Sequence, residues 1–267
     1  MTIVSLLACA PIDVGDGPSR CRADGAAIRC EHETDVYSDG ATDRDVLWQV
    51  PLGEAPADGW PVALFFQGSL VTADSLWEGF AGEPFGGEHQ VRTTKALLDG
   101  GFAVVAPEAL GAGLTCWNTN VPPWSTDWDG APDDVLMDEV LAAVDAGELG
   151  PLDPARLHAL GISSGGYMTS RMSLAYPGRF SRLVIVAASY ATCAGVVCDV
   201  PDALPADHPP TRFLHGRLDA VVPVWTMEAY ADALADAGVE HDAIVEPGGG
   251  HAWPEAAPED VLDWLSD

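Results

Sequence analysis

Four nearly continuous apolar runs constrain this chain more than any other feature. They are "WPVALFFQG", "FAVVAPEAL", "RLHALGI" and "RLVIVAASY", each bounded by Gly, Pro or polar residues. Strands read this way when both of their faces are buried. Helical patterns alternate with them. "VRTTKALLDGG" ends at Gly100, and "DDVLMDEVLAAVDAGELG" places Leu136, Val140 and Val144 at helical spacing. "YMTSRMSLAYPG" stops at Pro177, "VWTMEAYADALADAG" ends at Gly238, and "PEDVLDWLSD" closes the chain, with further strands in "TRFLHG" and "HDAIVEP". Repeated strand–helix alternation predicts an α/β fold: a mostly parallel sheet with helices on both faces.

Residues 1–40 lack periodicity and read as a leader followed by a loop or edge segment, and 41–267 read as a single domain. The start, "MTIVSLLACAP", resembles a truncated secretory signal with a lipoprotein-type cysteine at Cys9, but it lacks a basic n-region. No later stretch offers about 18 uninterrupted apolar residues, so no membrane span is expected. Among the six cysteines, Cys21 and Cys30 are close in sequence, as are Cys193 and Cys198, and either pair could close a short loop. The chain carries 41 acidic and 12 basic residues, a net charge of -29, and Lys95 is its one lysine. Such a surface repels phosphate backbones, which excludes nucleic-acid binding.

The junction between "RLHAL" and its following helix holds "GISSGG", Gly161 to Gly166. This fits G-x-S-x-G, a turn on which a serine hydroxyl projects above a sheet and glycines two residues either side avoid collision. Ser163 is the candidate nucleophile, and the N–H of Ser164 can point at a developing oxyanion. A base and its orienter should follow in the order acid, then histidine, each after a strand. "FLHGRLDAVVP" supplies Asp219 and "VEPGGGHAWP" supplies His251. His215, just before the acid, is the strongest rival base. By analogy with His-Gly-X loops, "QGS" after the strand "VALFF" offers the Ser69 N–H as a second oxyanion donor. The long segment "GAGLTCWNTNVPPWSTDWDGAP" exceeds an ordinary connection, as functional loops often do. Leu70, Trp77, Tyr167, Val221 and Trp253 lie close in sequence to these loops and are the candidate substrate-binding residues.

"GISSGGYMTSRM", "HGRLDAVVP" and "GGGHAWP", in that order, resemble the extracellular medium-chain-length polyhydroxyalkanoate depolymerases, whose serine box Ile-Ser-Ser-Gly is present as Ile162 to Gly165. The resemblance covers roughly residues 45 to 267. It implies an α/β-hydrolase fold, a Ser163–Asp219–His251 triad, secretion, hydrolysis of insoluble polyester or its oligoesters through an acyl-enzyme, and no metal or cofactor. "QGS" departs from the usual His-Gly start. Two other readings stand beside it: a feruloyl- or acetyl-type carbohydrate esterase, and a non-catalytic binding lipoprotein of hydrolase-like fold.

Overall fold

The structure, a computed structural model, describes residues 12–13, 15, 17–109 and 116–267. Cys9 lies outside them. The strands, in chain order, are β1 (Cys21–Asp24), β2 (Ala27–Cys30), β3 (Glu33–Ser38), β4 (Asp43–Gln49), β5 (Trp60–Phe66), β6 (Glu78–Phe80), β7 (Ala103–Pro107), β8 (Leu152–Ile162), β9 (Phe180–Val186), β10 (Thr211–Gly216) and β11 (His241–Glu246). The helices are α1 (Gly87–Asp99), α2 (Pro132–Ala146), α3 (Ser164–Ala175), α4 (Val224–Ala237) and α5 (Ala257–Ser266).

Eight strands form one sheet in the order β11-β10-β9-β8-β5-β7-β4-β3. The six from β11 to β7 run parallel, and β4 and β3 add antiparallel at one edge. The four apolar runs are β5, β7, β8 and β9, the four central strands of the eight-stranded sheet. Strand periodicity divides β5 between two cores. Ala63 and Phe65 join α1 and α5 on one face, whereas Val62, Leu64 and Phe66 join α2 and α3 on the other. A third cluster packs Ile185 and Phe213 against Met227, Tyr230 and Leu234 of α4. Burying each such side chain contributes about 1.5–3 kcal/mol before entropy is counted. Helices α1 and α4 stop one residue before Gly100 and Gly238, the stops expected from sequence.

The N-terminal segment is stitched to this body. β3 pairs along its length with β4, Ser38 facing Asp43, so a cut after residue 40 would separate two bonded strands. β1 and β2 form a small second sheet with β6, closed by the Cys21–Cys30 disulfide. A second disulfide joins Cys193 and Cys198. Among the described residues, no helix is long and apolar enough to cross a membrane.

The turn from β8 into α3 is the tightest place in the sheet. A Cβ at Gly165 would overlap the carbonyl oxygen of Phe66 in β5 and lie 2.5 Å from that of Gln67. One at Gly161 would lie 2.5 Å from Gly165 O and 2.7 Å from Phe66 O. These atoms are backbone and cannot step aside as a flexible side chain would. Gly165→Ala is therefore expected to lower the free energy of unfolding by roughly 3 kcal/mol, the upper end of overpacking costs, measured by denaturant titration. An unchanged midpoint would mean that β5 and α3 are free to part.

Candidate active site

Ser163 caps α3 with φ 56° and ψ -121°, a conformation that L-residues rarely adopt. Its N–H bonds Val186 O at 2.9 Å, and its carbonyl accepts Tyr167 N–H at 3.0 Å. The strain, of order 1–3 kcal/mol, is thus held from both sides. Among the described residues, the other non-glycines at positive φ are Leu70, Phe85 and Ala187. Leu70 follows Gly68-Ser69 at the end of β5, Phe85 faces His251 with ring centroids 6.3 Å apart, and Ala187 follows β9. Unfavourable backbone therefore gathers at one end of the sheet, as it does where function demands it.

Asp219 lies in the loop after β10 and His251 in the loop after β11. The two loops are bound together: Arg217 N–H donates to Glu246 O and Leu218 N–H to Gly249 O, each at 2.8 Å. Gly216 lets this happen, because a Cβ there would collide with Gly249 and Gly250. His251 Nδ1 stands 2.7 Å from Asp219 Oδ2, while Asp219 Oδ1 accepts the N–H groups of Val221 and Val222, both at 2.8 Å. A carboxylate acceptor requires the proton on Nδ1, leaving Nε2 with a free lone pair. Burial pushes the Asp219 carboxyl up, but the bonds from His251, Val222 and Val221 outweigh it and hold the group below the usual carboxylate range.

His215 approaches the same carboxylate, with Nε2 3.5 Å from Asp219 Oδ2, but that nitrogen lies 2.8 Å from Val222 O. A carbonyl acceptor fixes the proton on Nε2, so His215 anchors the acid loop. Its side chain is fully buried, and burial lowers its pKa. His158, packed edge-on against Phe102, is pushed down to about 4 by burial and by Arg182 and Arg156.

Ser163 is half-buried at the end of β8. Among the described residues, no hydrogen bond joins its hydroxyl to His251, whose ring bonds Asp219. The β5 loop abuts the serine: a Cβ on Gly68 would sit 3.7 Å from Ser163 Cβ, and Ser69 beyond it is exposed. Ser164 occupies the first turn of α3, and its buried hydroxyl accepts the Trp117 N–H at 2.9 Å.

The substrate-binding candidates divide. Leu70 is 70% exposed and Val221 56%. Trp77, Tyr167 and Trp253 are 1%, 2% and 2% exposed, which corrects the expectation that they touch substrate. Trp77 and Trp253 are core residues beside α1 and α5, the latter stacked edge-on with Phe65 and donating to Gln90. Tyr167 belongs to the α4 core, and its hydroxyl accepts the Gly195 N–H at 3.2 Å. Proximity in sequence to a catalytic loop did not bring these rings to the surface, because each apolar ring found a core beneath the loop. Phe85 was not anticipated: it is 65% exposed and its ring faces His251. Among the described residues, no group of three or more His, Cys, Asp or Glu is placed to hold a metal.

No family model matches the chain. It is 45% identical over 242 residues, 90% of this chain and 86% of the relative, to a poly(3-hydroxyoctanoate) depolymerase of Pseudomonas fluorescens. An S-formylglutathione hydrolase of Agrobacterium tumefaciens is similar in structure, with TM-score 0.64 and 14% identity over 92% of this chain and 97% of that one. A Bacillus cereus carboxylesterase follows with TM-score 0.60 and 13% identity, covering 85% and 95%. These likenesses show the α/β-hydrolase fold.

Replacing Asp219 by Asn keeps the shape but offers an amide donor that can favour the wrong imidazole tautomer. Asp219→Asn is expected to lower kcat/KM on a soluble p-nitrophenyl ester about 10⁴-fold with folding intact. A near-normal rate would assign the orienting role to another group.

Proposed function

The chain belongs to the family of polyhydroxyalkanoate depolymerases and is a carboxylic ester hydrolase, and from that premise we propose that it cleaves medium-chain-length polyhydroxyalkanoate outside the cytoplasm, with Ser163, Asp219 and His251 as its catalytic triad. The observation that carries the substrate reading is where the exposed apolar side chains lie. Leu70 follows the β5 loop, Phe85 faces His251, and Leu218 and Val221 flank Asp219. Val196 and Val197, 68% and 72% exposed, form the tip of the loop closed by Cys193–Cys198. That tip abuts the acid loop, where a Cβ on Gly195 would lie 3.5 Å from Val221 O. In a chain of net charge -29, exposed apolar side chains on the loops beside these residues fit a water-insoluble alkyl polyester better than a polysaccharide, which would call for polar donors and acceptors. The two disulfides support an oxidising compartment.

In the proposed mechanism His251 Nε2 takes the Ser163 proton as the hydroxyl oxygen attacks the ester carbonyl. Asp219 holds the imidazole and stabilises the imidazolium. The N–H groups of Ser164 and Ser69 receive the oxyanion, and the α3 N-terminus adds its dipole. Collapse releases the alcohol end of the polymer, which takes the proton from His251. Water, activated by the same imidazole, then frees the acid and restores Ser163.

Wild-type protein is expected to clear suspensions of medium-chain polyester, and Ser163→Ala to clear none. Release of phenolic acid from xylan without clearing of polyester would favour the carbohydrate esterase. Absence of fluorophosphonate labelling at Ser163 would favour a non-catalytic binder.

A further inference from the structure

The two oxyanion donors proposed above sit on different segments, Ser164 on α3 and Ser69 on the loop after β5. Their spacing must match one oxygen atom to within a few tenths of an ångström. The Ser69 loop is poorly suited to hold itself: Ser69 and Leu70 are exposed, and Leu70 is at φ 72°.

A single carboxylate spans this loop. Glu108, one residue past β7, accepts Gln67 Nε2–H on Oε1 at 3.1 Å and Ala73 N–H on Oε2 at 2.6 Å. It therefore grips the loop just before Gly68 and just after Thr72. At the near end a second tie runs back to α3. The Trp117 ring N–H donates to Gln67 O at 3.0 Å, and the Trp117 main-chain N–H donates to Ser164 Oγ at 2.9 Å. Trp117 is fully buried and packs edge-on against Phe66, the last residue of β5. The bonded path Ser164–Trp117–Gln67–Glu108–Ala73 thus connects both donor segments.

This arrangement is costly. Burial, together with Asp74 and Asp45 nearby, raises the Glu108 pKa against the pull of its two donors. Gln67 is fully buried, and among the described residues its Oε1 has no hydrogen-bond partner. Apolar residues would fill the same space more cheaply, and such local penalties persist where geometry matters more than stability.

We propose that Glu108 is a positioning residue for ester hydrolysis, fixing through Gln67 and Trp117 the separation of the Ser69 and Ser164 N–H groups. The inference rests on the oxyanion roles assigned above. Glu108 touches no reacting atom. It acts by denying the loop the slack that would let one donor drift from the developing charge. Gln at this position can do the same work: its carbonyl keeps the Ala73 N–H, its amide faces Gln67, and a flip of Gln67 offers the now idle Oε1 as acceptor.

The test uses the full chain, a soluble p-nitrophenyl alkanoate, and an alkyl trifluoromethyl ketone, whose serine adduct carries an oxyanion. Glu108→Ala is expected to lower kcat about 10- to 100-fold, below the loss for deleting a donor outright, with KM within about threefold. Ketone affinity should fall by a factor similar to kcat, and Glu108→Gln should recover most of both. Gln67→Met, which keeps the backbone tie to Trp117 but removes the amide donor, provides the same reading if Glu108→Ala does not fold. Unchanged kcat in the folded variant, or a loss confined to KM with ketone affinity intact, would overturn the proposal. Fluorophosphonate labelling separates the two failures: if Ser163 is labelled while kcat ignores these substitutions, the brace is wrong and the triad stands. If Ser163 is not labelled, the underlying reading fails.

Discussion

The rest of the structure depends on one close approach: the β8–α3 turn packs so tightly on the end of β5 that no side chain fits at Gly161 or Gly165. That contact lets Ser163 be held at positive φ, bonded on one side to Val186 O and on the other to Tyr167 N–H. A looser turn would relax toward ordinary helical or extended backbone, and the hydroxyl would no longer stand above the sheet. The same closeness places Gly68 beside the serine, so the loop after β5 and the start of α3 share one wall.

A buried cluster of charges ties further elements together. Arg44 of β4 is buried between Asp39 and Asp133, with ion pairs of 2.7 and 2.5 Å. Asp39, although burial raises it, is held down to about 2 by the N–H groups of Thr42 and Ala41 and by Arg44. Asp133, in the first turn of α2, accepts Asn118 N–H and returns its own N–H to Asn118 Oδ1 at 3.1 Å. Thr119 next to it takes the Arg171 guanidinium of α3 at 2.9 Å. The antiparallel edge of the sheet, the long segment around Trp117 and the helix behind the serine are therefore one bonded unit. Removing Arg44 would leave the buried Asp39 and Asp133 without their cation, which is far costlier than never having placed the pair.

Much of this was legible in the residues. Strands β5, β7, β8 and β9 announce themselves because a strand buried on both faces has no reason to alternate. Ser163, Asp219 and His251 could be proposed together because a parallel sheet gathers the ends of its strands on one edge, and of the three the structure joins His251 to Asp219 by a hydrogen bond. The separation of exposed from buried aromatics was not legible. Trp253, two residues from His251, turns inward onto Phe65, whereas Phe85, from a distant segment, faces the imidazole. Glu108 carried a faint signal, a lone acid closing an apolar run, but nothing in sequence says that its partners are Gln67 and Ala73.

The sequence by itself determined the alternation of strands and helices, the glycines that permit the serine turn, and the order in which acid and histidine follow it. These are properties of local sterics and burial, which each segment carries within itself. Only the tertiary structure decided that His215 serves Val222 while His251 meets Asp219, which tryptophans face water, and how Trp117 and Glu108 join two loops. Those outcomes depend on distances between segments that share no local pattern, and packing alone sets such distances.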